Sequence, residues 1–383
     1  MRGWCWMLLT IPLMGSLIVT GCIEAPPPET KGGESVALVD TLTIEIEEDH
    51  QAAPGGVAFY VGDLRWTEGD TLCAEAGDQR RGVRGDLTID PGVTSLERLW
   101  CICVVEGDLT IDGLSGLTSL NGLHELVEVG GDITLKGAPV SNLDELRALR
   151  SVGGTLKLAD LPSLERARLD ALKELGDLTV IRAESLSRLN LTGVTALAGP
   201  LHLEDNPKLK DLSGLRGLER MDGRIELTRN PALESLDGLN KLEIITGELV
   251  LKGNHALTDF SALDELTIIT SDLHVENNNG LKSLALPSLS AVGKEIYIGR
   301  NSGLKTLNGL RALRTVNGDI TVEINQKLKD ISGLRGLNTV RGDIILKDNG
   351  SLPEDARAEL LSTIGEENMR RDREITAQTD EVQ

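Results

Sequence analysis

The sequence predicts a parallel β-solenoid of about twelve coils, each 22–24 residues long, closed at its C-terminal end by a helix. Three observations carry that expectation. A Gly-Asp-Leu-Thr-Ile motif recurs at Gly85, Gly107, Gly131, Gly154, Gly176, Gly199, Gly223, Gly247, Ser271, Lys294, Gly318 and Gly342, at intervals of 22, 23 or 24 residues, with aliphatics at its third and fifth positions. Self-similarity at a fixed short period marks stacked units that cannot bury their apolar edges alone. Within each copy the period then changes. In the copy at Gly223, Ile225 and Leu227 flank Glu226, and a three-residue spacing follows through Leu233, Leu236, Leu239, Leu242 and Ile245. The alternation is a short strand with one buried face; the slower spacing is a series of turns or 3₁₀ pieces that leads the chain back around the core, with a bend at Gly238. Finally, Asn206, Asn230, Asn254, Asn278, Asn301, Asn325 and Asn349 each lie seven residues after a motif start, in seven successive coils. Such a column reads as an inward ladder, each amide bonding backbone at the same corner and meeting the next Asn above it. With parallel strands about 4.8 Å apart, the stack is expected to be a rod of roughly 53 Å.

The elements follow in chain order. Residues 1–21 combine a short cationic start, an apolar run too short to span a bilayer, and small residues before Cys22, which is the pattern of an export signal. The tetrad Val19-Thr20-Gly21-Cys22 resembles the lipobox of bacterial lipoproteins. That resemblance implies cleavage before Cys22 and lipidation of its thiol, and the following Ile23-Glu24, which lacks an Asp, favours outer-membrane placement. Residues 22–35, rich in Pro and Gly, form a tether. Residues 36–84 are expected to make an N-terminal cap, with a strand over 42–46, a partner within 57–66 after Pro54-Gly55-Gly56, and a loop around Cys73. The solenoid occupies 85–352. Ser351-Leu352-Pro353-Glu354 opens a helix over 353–365 with Ala356, Leu360 and Ile364 on one face. Residues 366–383 are charged and polar and are expected to be disordered.

Of the five cysteines, Cys5 leaves with the signal and Cys22 carries the lipid, so Cys73, Cys101 and Cys103 remain. An exported protein meets an oxidising compartment, so one disulfide is expected from Cys73 to either Cys101 or Cys103. Cys101-Ile102-Cys103 without a second ligand pair is no zinc signature.

The stretch Leu96-Glu97-Arg98-Leu99-Trp100-Cys101-Ile102-Cys103-Val104-Val105-Glu106-Gly107-Asp108-Leu109-Thr110-Ile111, together with Cys73, resembles the receptor L domain. The resemblance covers about residues 73–352. It implies a right-handed, leucine-rich-repeat-like parallel β-solenoid and protein binding through the sheet face, without identifying contact residues. It also implies that Cys73 bonds a cysteine just before the Val-Glu-Gly step, a position that Cys101 and Cys103 straddle here. The family unit has about half as many coils, so the chain is expected to be two fused units or one extended array, with any junction between Gly154 and Gly199, where the Asn column is missing.

Composition narrows the function. With 39 Lys and Arg against 60 Asp and Glu, net charge −21, the chain repels phosphate backbones, which argues against nucleic acid as a partner. Aromatic residues are only 2% of the chain, which removes most stacking platforms for sugars or single strands. No phosphate loop, nucleophile elbow or paired metal motif occurs, so neither catalytic residue nor metal nor cofactor is assigned. The second motif position is mostly acidic, including Asp86, Asp108, Asp132, Asp272 and Asp319, and each Asp is expected to bond its own turn. The fourth position is mostly Thr. Only the middle coils mix charges, at His202, Glu204, Arg224, Glu226, Glu248 and Lys252, which form the candidate partner-contact patch. The leading expectation is a lipid-anchored cell-envelope binding or adhesion protein, not an enzyme, whose partners are the membrane through its lipid and a protein or envelope component through its sheet face. A polysaccharide lyase or hydrolase of β-helix type and a structural spacer are the alternatives.

Overall fold

The computed structural model describes residues 46–49 and 57–364, other than 71, 75, 77 and 78. The expected signal segment 1–21, Cys22, the expected tether 22–35, most of the strand expected over 42–46 and the 366–383 tail lie outside the described residues.

The described chain is a parallel β-solenoid with one short C-terminal helix. Most motifs give a strand of three or four residues that pairs in register with the strands of the neighbouring coils. Thus Ile225–Thr228 lies between Leu201–Glu204 and Leu249–Lys252, matching Ile225 with Leu201 and Leu249. The parallel ladder runs on from coil to coil to Ile344–Lys347. The third and fifth motif residues point inward: Ile225, Leu227, Leu249 and Leu251 are all buried. The leucines at three-residue spacing complete the same core, with Leu233, Leu239 and Leu242 fully buried, and six short 3₁₀ helices punctuate the returning side. Burial at this density explains why the unit must repeat, because an isolated coil would expose both apolar rims to water.

The bend at Gly238 has a steric cause. Its φ is +115°, and a Cβ there would overlap the carbonyl oxygen of Leu212 in the coil before. Gly122, with φ also +115°, meets Leu96 in the same way. Coil stacking and left-handed backbone together leave room only for glycine.

Two features of the stack depart from the sequence expectation. The stack begins one rung before Gly85: Leu64–Trp66 pairs in parallel register with Leu87–Ile89, so Gly62-Asp63-Leu64 is a further motif copy, disguised by Arg65 and Trp66. Val57–Tyr60 likewise runs parallel to Arg81–Val83, and only Ile46–Asp49 adds an antiparallel strand at the end. Between Gly154 and Gly199 the ladder does not break. Ser151–Ala159 and Glu174–Ile181 are unusually long strands in which two strand columns merge, with a register shift between Val152 and Thr155.

At the C-terminal end the helix Glu354–Ile364 packs Leu360, which is buried, with Ala356 and Leu352 against the last coil. Glu359 accepts an ion pair from Arg335 at 2.5 Å. Near the other end Cys73 is bonded to Cys101. Cys103 is a buried free thiol directed at the Arg81 carbonyl, and burial pushes its pKa up.

Candidate interaction face

Two corner devices hold the sheet and decide which outward side chains are free. The first sits where the strand ends. The seventh motif residue takes a left-handed conformation in coil after coil, at Asp160, Arg182, Asp205, Arg229, Gly253, Asn277, Arg300, Ile324 and Asp348, with φ between 53° and 69°. That sharp turn takes nearby backbone groups out of the strand ladder, and the Asn one residue later replaces the lost partners. Asn254 Oδ1 accepts from the Asn230 N–H at 3.0 Å, while Asn254 Nδ2 donates to the Leu227 carbonyl at 2.8 Å. The backbone N–H of Asn254 in turn donates to Asn278 Oδ1 at 2.9 Å. The same pattern links Asn206, Asn230, Asn278, Asn301, Asn325 and Asn349, and the amides from Asn206 to Asn325 are fully buried. A buried amide that meets both donor and acceptor needs is stable where a lone one would be costly.

The second device sits where the strand begins, and it differs from expectation. Most of these Asp residues bond the next coil rather than their own turn. Asp86 Oδ1 accepts from the Asp108 N–H at 2.8 Å, Asp108 from the Asp132 N–H at 2.7 Å, and Asp132 from the Thr155 N–H at 2.6 Å. Asp272 and Asp319 repeat the bond to Glu295 and Asp343. The N–H acceptance compensates the repulsion between stacked carboxylates. In the middle coils the column carries Pro200, which has no N–H to offer, then Arg224 and Glu248. There the structural role lapses and the side chains are left to face each other.

The charged patch of the middle coils resolves into two clusters. In the first, His202 Nε2 lies 3.0 Å from Glu204 Oε2 and 3.7 Å from Glu226 Oε2. Arg224 pairs with Glu226 and reaches Glu248 at 4.0 Å. Arg229, on the left-handed corner, ties Glu204 to Asp205 with a bidentate grip on the latter, at 2.7 and 2.8 Å. Five of the six patch residues read from the sequence thus share one network.

Lys252, the sixth, belongs to the second cluster, whose centre the sequence reading missed. Glu276 is only 8% exposed, yet Arg300 Nη1 at 2.7 Å, Lys252 Nζ at 2.8 Å and His274 Nε2 at 3.1 Å converge on it. Burial alone would raise its pKa. The three donors outweigh that and hold it down to about 2, so it is a carboxylate at any ordinary pH. His274 packs on Tyr297 with ring centroids 4.7 Å apart, and the Tyr297 hydroxyl donates to Glu323 at 2.8 Å. Burial and the Glu323 carboxylate push that phenol up to about 12. These partners were hidden because they lie at different motif positions: Lys252 and Glu276 at the sixth, His274 at the fourth, Arg300 at the turned seventh. A column-by-column reading pairs like with like; only the corner geometry brings the seventh residue beside the sixth.

Beside the first cluster, along the left-handed corner, runs an open groove of about 740 Å³ lined by Arg182, Asp205, Lys208, Arg229, Gly253 and His255 among others. Among the described residues no group of three or more His, Cys, Asp or Glu side chains is placed to hold a metal ion, and no helix is long and apolar enough to cross a membrane. The face is an ion-paired surface on which both signs of charge alternate.

Residues 219–309 match the family described as Receptor L domain, a family of non-enzymatic binding domains. The matched segment contains Arg220 through Glu276 and Arg300, hence most of the first cluster and the core of the second. No curated protein matches the chain.

Proposed function

We propose that this receptor L-domain-like solenoid is a non-enzymatic binding protein, anchored in the bacterial cell envelope by lipid on Cys22, whose sheet face between His202 and Arg300 contacts a protein or other envelope component. One observation carries the reading: the outward columns are occupied elsewhere by backbone-bound Asp and by Thr, and they become two charge-patterned clusters within and beside the stretch that matches the binding family. A fixed pattern of both signs steers encounter and rejects mismatched partners.

The enzyme alternative finds little support in the same geometry. Glycoside hydrolysis needs one carboxyl kept protonated beside one kept ionised. Here the most buried carboxylate of the face, Glu276, is held ionised by three donors, and Glu226 is gripped by Arg224. The anchor rests on Val19-Thr20-Gly21-Cys22 and the tether behind it. Two or three acyl chains give stable attachment where one would be marginal, while the net charge of −21 keeps the solenoid itself off anionic lipid.

The test is capture of a cross-linked partner from envelope extract by the purified chain and by charge-reversed variants. Arg224→Glu combined with Lys252→Glu should abolish recovery of a protein that both wild type and Lys173→Glu retain. Equal recovery by all three would remove the sheet face from the interface, and polysaccharide turnover lost on Glu226→Gln would replace the binding reading with the enzymatic one.

A further inference from the structure

The positive charge of the chain is unevenly spread. Residues 271–341, three coils, hold ten Lys and Arg against six Asp and Glu, in a protein whose net charge is −21. Three of those cations form a line. Lys282, Lys305 and Lys329 occupy the same place in successive coils, between one inward leucine or isoleucine pair and the next, and all three are exposed. Their backbones stack directly: the Lys305 N–H donates to the Lys282 carbonyl at 3.0 Å and the Lys329 N–H to the Lys305 carbonyl at 3.0 Å. The ammonium groups therefore rise from points one strand spacing apart, about 4.8 Å.

Among the described residues none of the three makes an ion pair or a side-chain hydrogen bond, whereas the stacked Asp residues of the sheet are compensated by backbone N–H groups. Asp330, next in sequence to Lys329, and Asp259, one coil before Lys282, are already engaged. Asp330 accepts from the Ser332 N–H at 2.8 Å and from Asn308 Nδ2 at 2.6 Å, and Asp259 accepts from the Ser261 N–H at 3.0 Å, with Lys282 only a lesser influence on its charge. Gly280 and Gly303 stand two residues before Lys282 and Lys305, and a Cβ at either would overlap the carbonyl oxygens of His255 and Asn279 in the coil before. The flank thus carries a row of exposed lysines, with glycine beside two of them and the exposed Lys327 beside the third.

We propose that this flank, separate from the sheet face, binds an acidic polysaccharide laid along the solenoid axis, with Lys282, Lys305 and Lys329 each meeting a sugar carboxylate. The spacing selects the class. A 1→4-linked hexuronan carries one carboxylate per ring at a repeat close to one coil step, and the long flexible lysine stems take up the alternation of successive carboxylates about the chain. Counted residue by residue in the same way, an extended acidic peptide advances only about 3.3 Å per side chain, well short of one coil step, and drifts out of register within three rungs. Duplex nucleic acid, with one charge per roughly 1.7 Å of its axis, packs its charges much more densely than the lysines are spaced. The scarcity of aromatic rings is no obstacle, because recognition here is ionic.

The experiment uses the full purified chain with fluorescent octagalacturonate as probe, and neutral malto-octaose and octaglutamate as comparisons. Octagalacturonate should bind and weaken steadily as salt is raised. The triple variant Lys282→Gln, Lys305→Gln, Lys329→Gln should bind at least about tenfold more weakly. Its denaturation midpoint should be unchanged or higher, since a repulsion is relieved. Lys208→Gln with Lys210→Gln should bind as wild type does. Octagalacturonate binding that is absent at low salt, unaffected by the triple variant, or matched by octaglutamate would overturn the proposal.

Discussion

Replacing Asn254 with Leu removes one side chain and strands two backbone groups. The amide oxygen serves the Asn230 N–H and the amide nitrogen serves the Leu227 carbonyl, both in the preceding coil and both sealed from water by the stack. Each buried group left without a partner costs about 1 to 3 kcal/mol, so the pair should cost about 2 to 6 kcal/mol, against which the added apolar surface of Leu offsets about 1 kcal/mol. The groups above are spared, because the Asn254 backbone N–H keeps its bond to Asn278 Oδ1. Asn349→Leu removes the equivalent bonds to Asn325 N–H and Val322 C=O at the half-exposed end of the column, where water can substitute, and should cost clearly less. Thr321→Ala, outward on the strand Ile320–Glu323, should change stability by less than about 0.5 kcal/mol. Urea midpoints of the three variants, measured under one condition, give the comparison. A neutral Asn254→Leu, or a cost no larger than that of Asn349→Leu, would refute the claim that the ladder satisfies buried backbone.

Other consequences are as specific. Because the Glu276 pKa falls from 4.5 when unfolded to about 2 when folded, its contribution is complete above about pH 4.5 and is lost as pH drops toward 2. Allowing for its half-exposed partners, that contribution is about 2 kcal/mol, and the stability curves of wild type and Glu276→Gln should converge over that window; parallel curves would deny the cluster its role. Cys101→Ser should cost about 3 to 4 kcal/mol by opening a disulfide that spans 28 residues, whereas Cys103→Ser should leave the bridge intact on non-reducing peptide mapping. Cys22→Ser should accumulate an unprocessed precursor that takes up no labelled acyl chain; a wild-type chain that is equally unlabelled would end the lipoprotein proposal.

The repeat made the fold legible, because stacked coils force the same inward positions on every copy and leave a strict period in the sequence. The copy at Gly62 is disguised where Arg65 and Trp66 replace the usual Thr and Ile, although Asp63 already accepts from the Asp86 N–H at 3.0 Å as most later Asp residues of the column do. The face was half legible. Charges at Arg224, Glu226 and Glu248 stand out against a threonine background, but Glu276 looks like any exposed glutamate until the left-handed corner swings Arg300 beside it. Asp ladders that cross from coil to coil are equally invisible from one coil alone, since the partner is 22 to 24 residues away.

The sheet face as contact surface is tested most directly by photo-cross-linking from Val250, which lies between the two clusters in the middle outward column and pairs with Glu226 on one side and His274 on the other. A photoreactive residue there should give a single partner adduct in cells, and one at Glu265, exposed on the returning side of the same coil, should give none. An adduct from Glu265 with none from Val250 would place the interface on the opposite side and contradict the account.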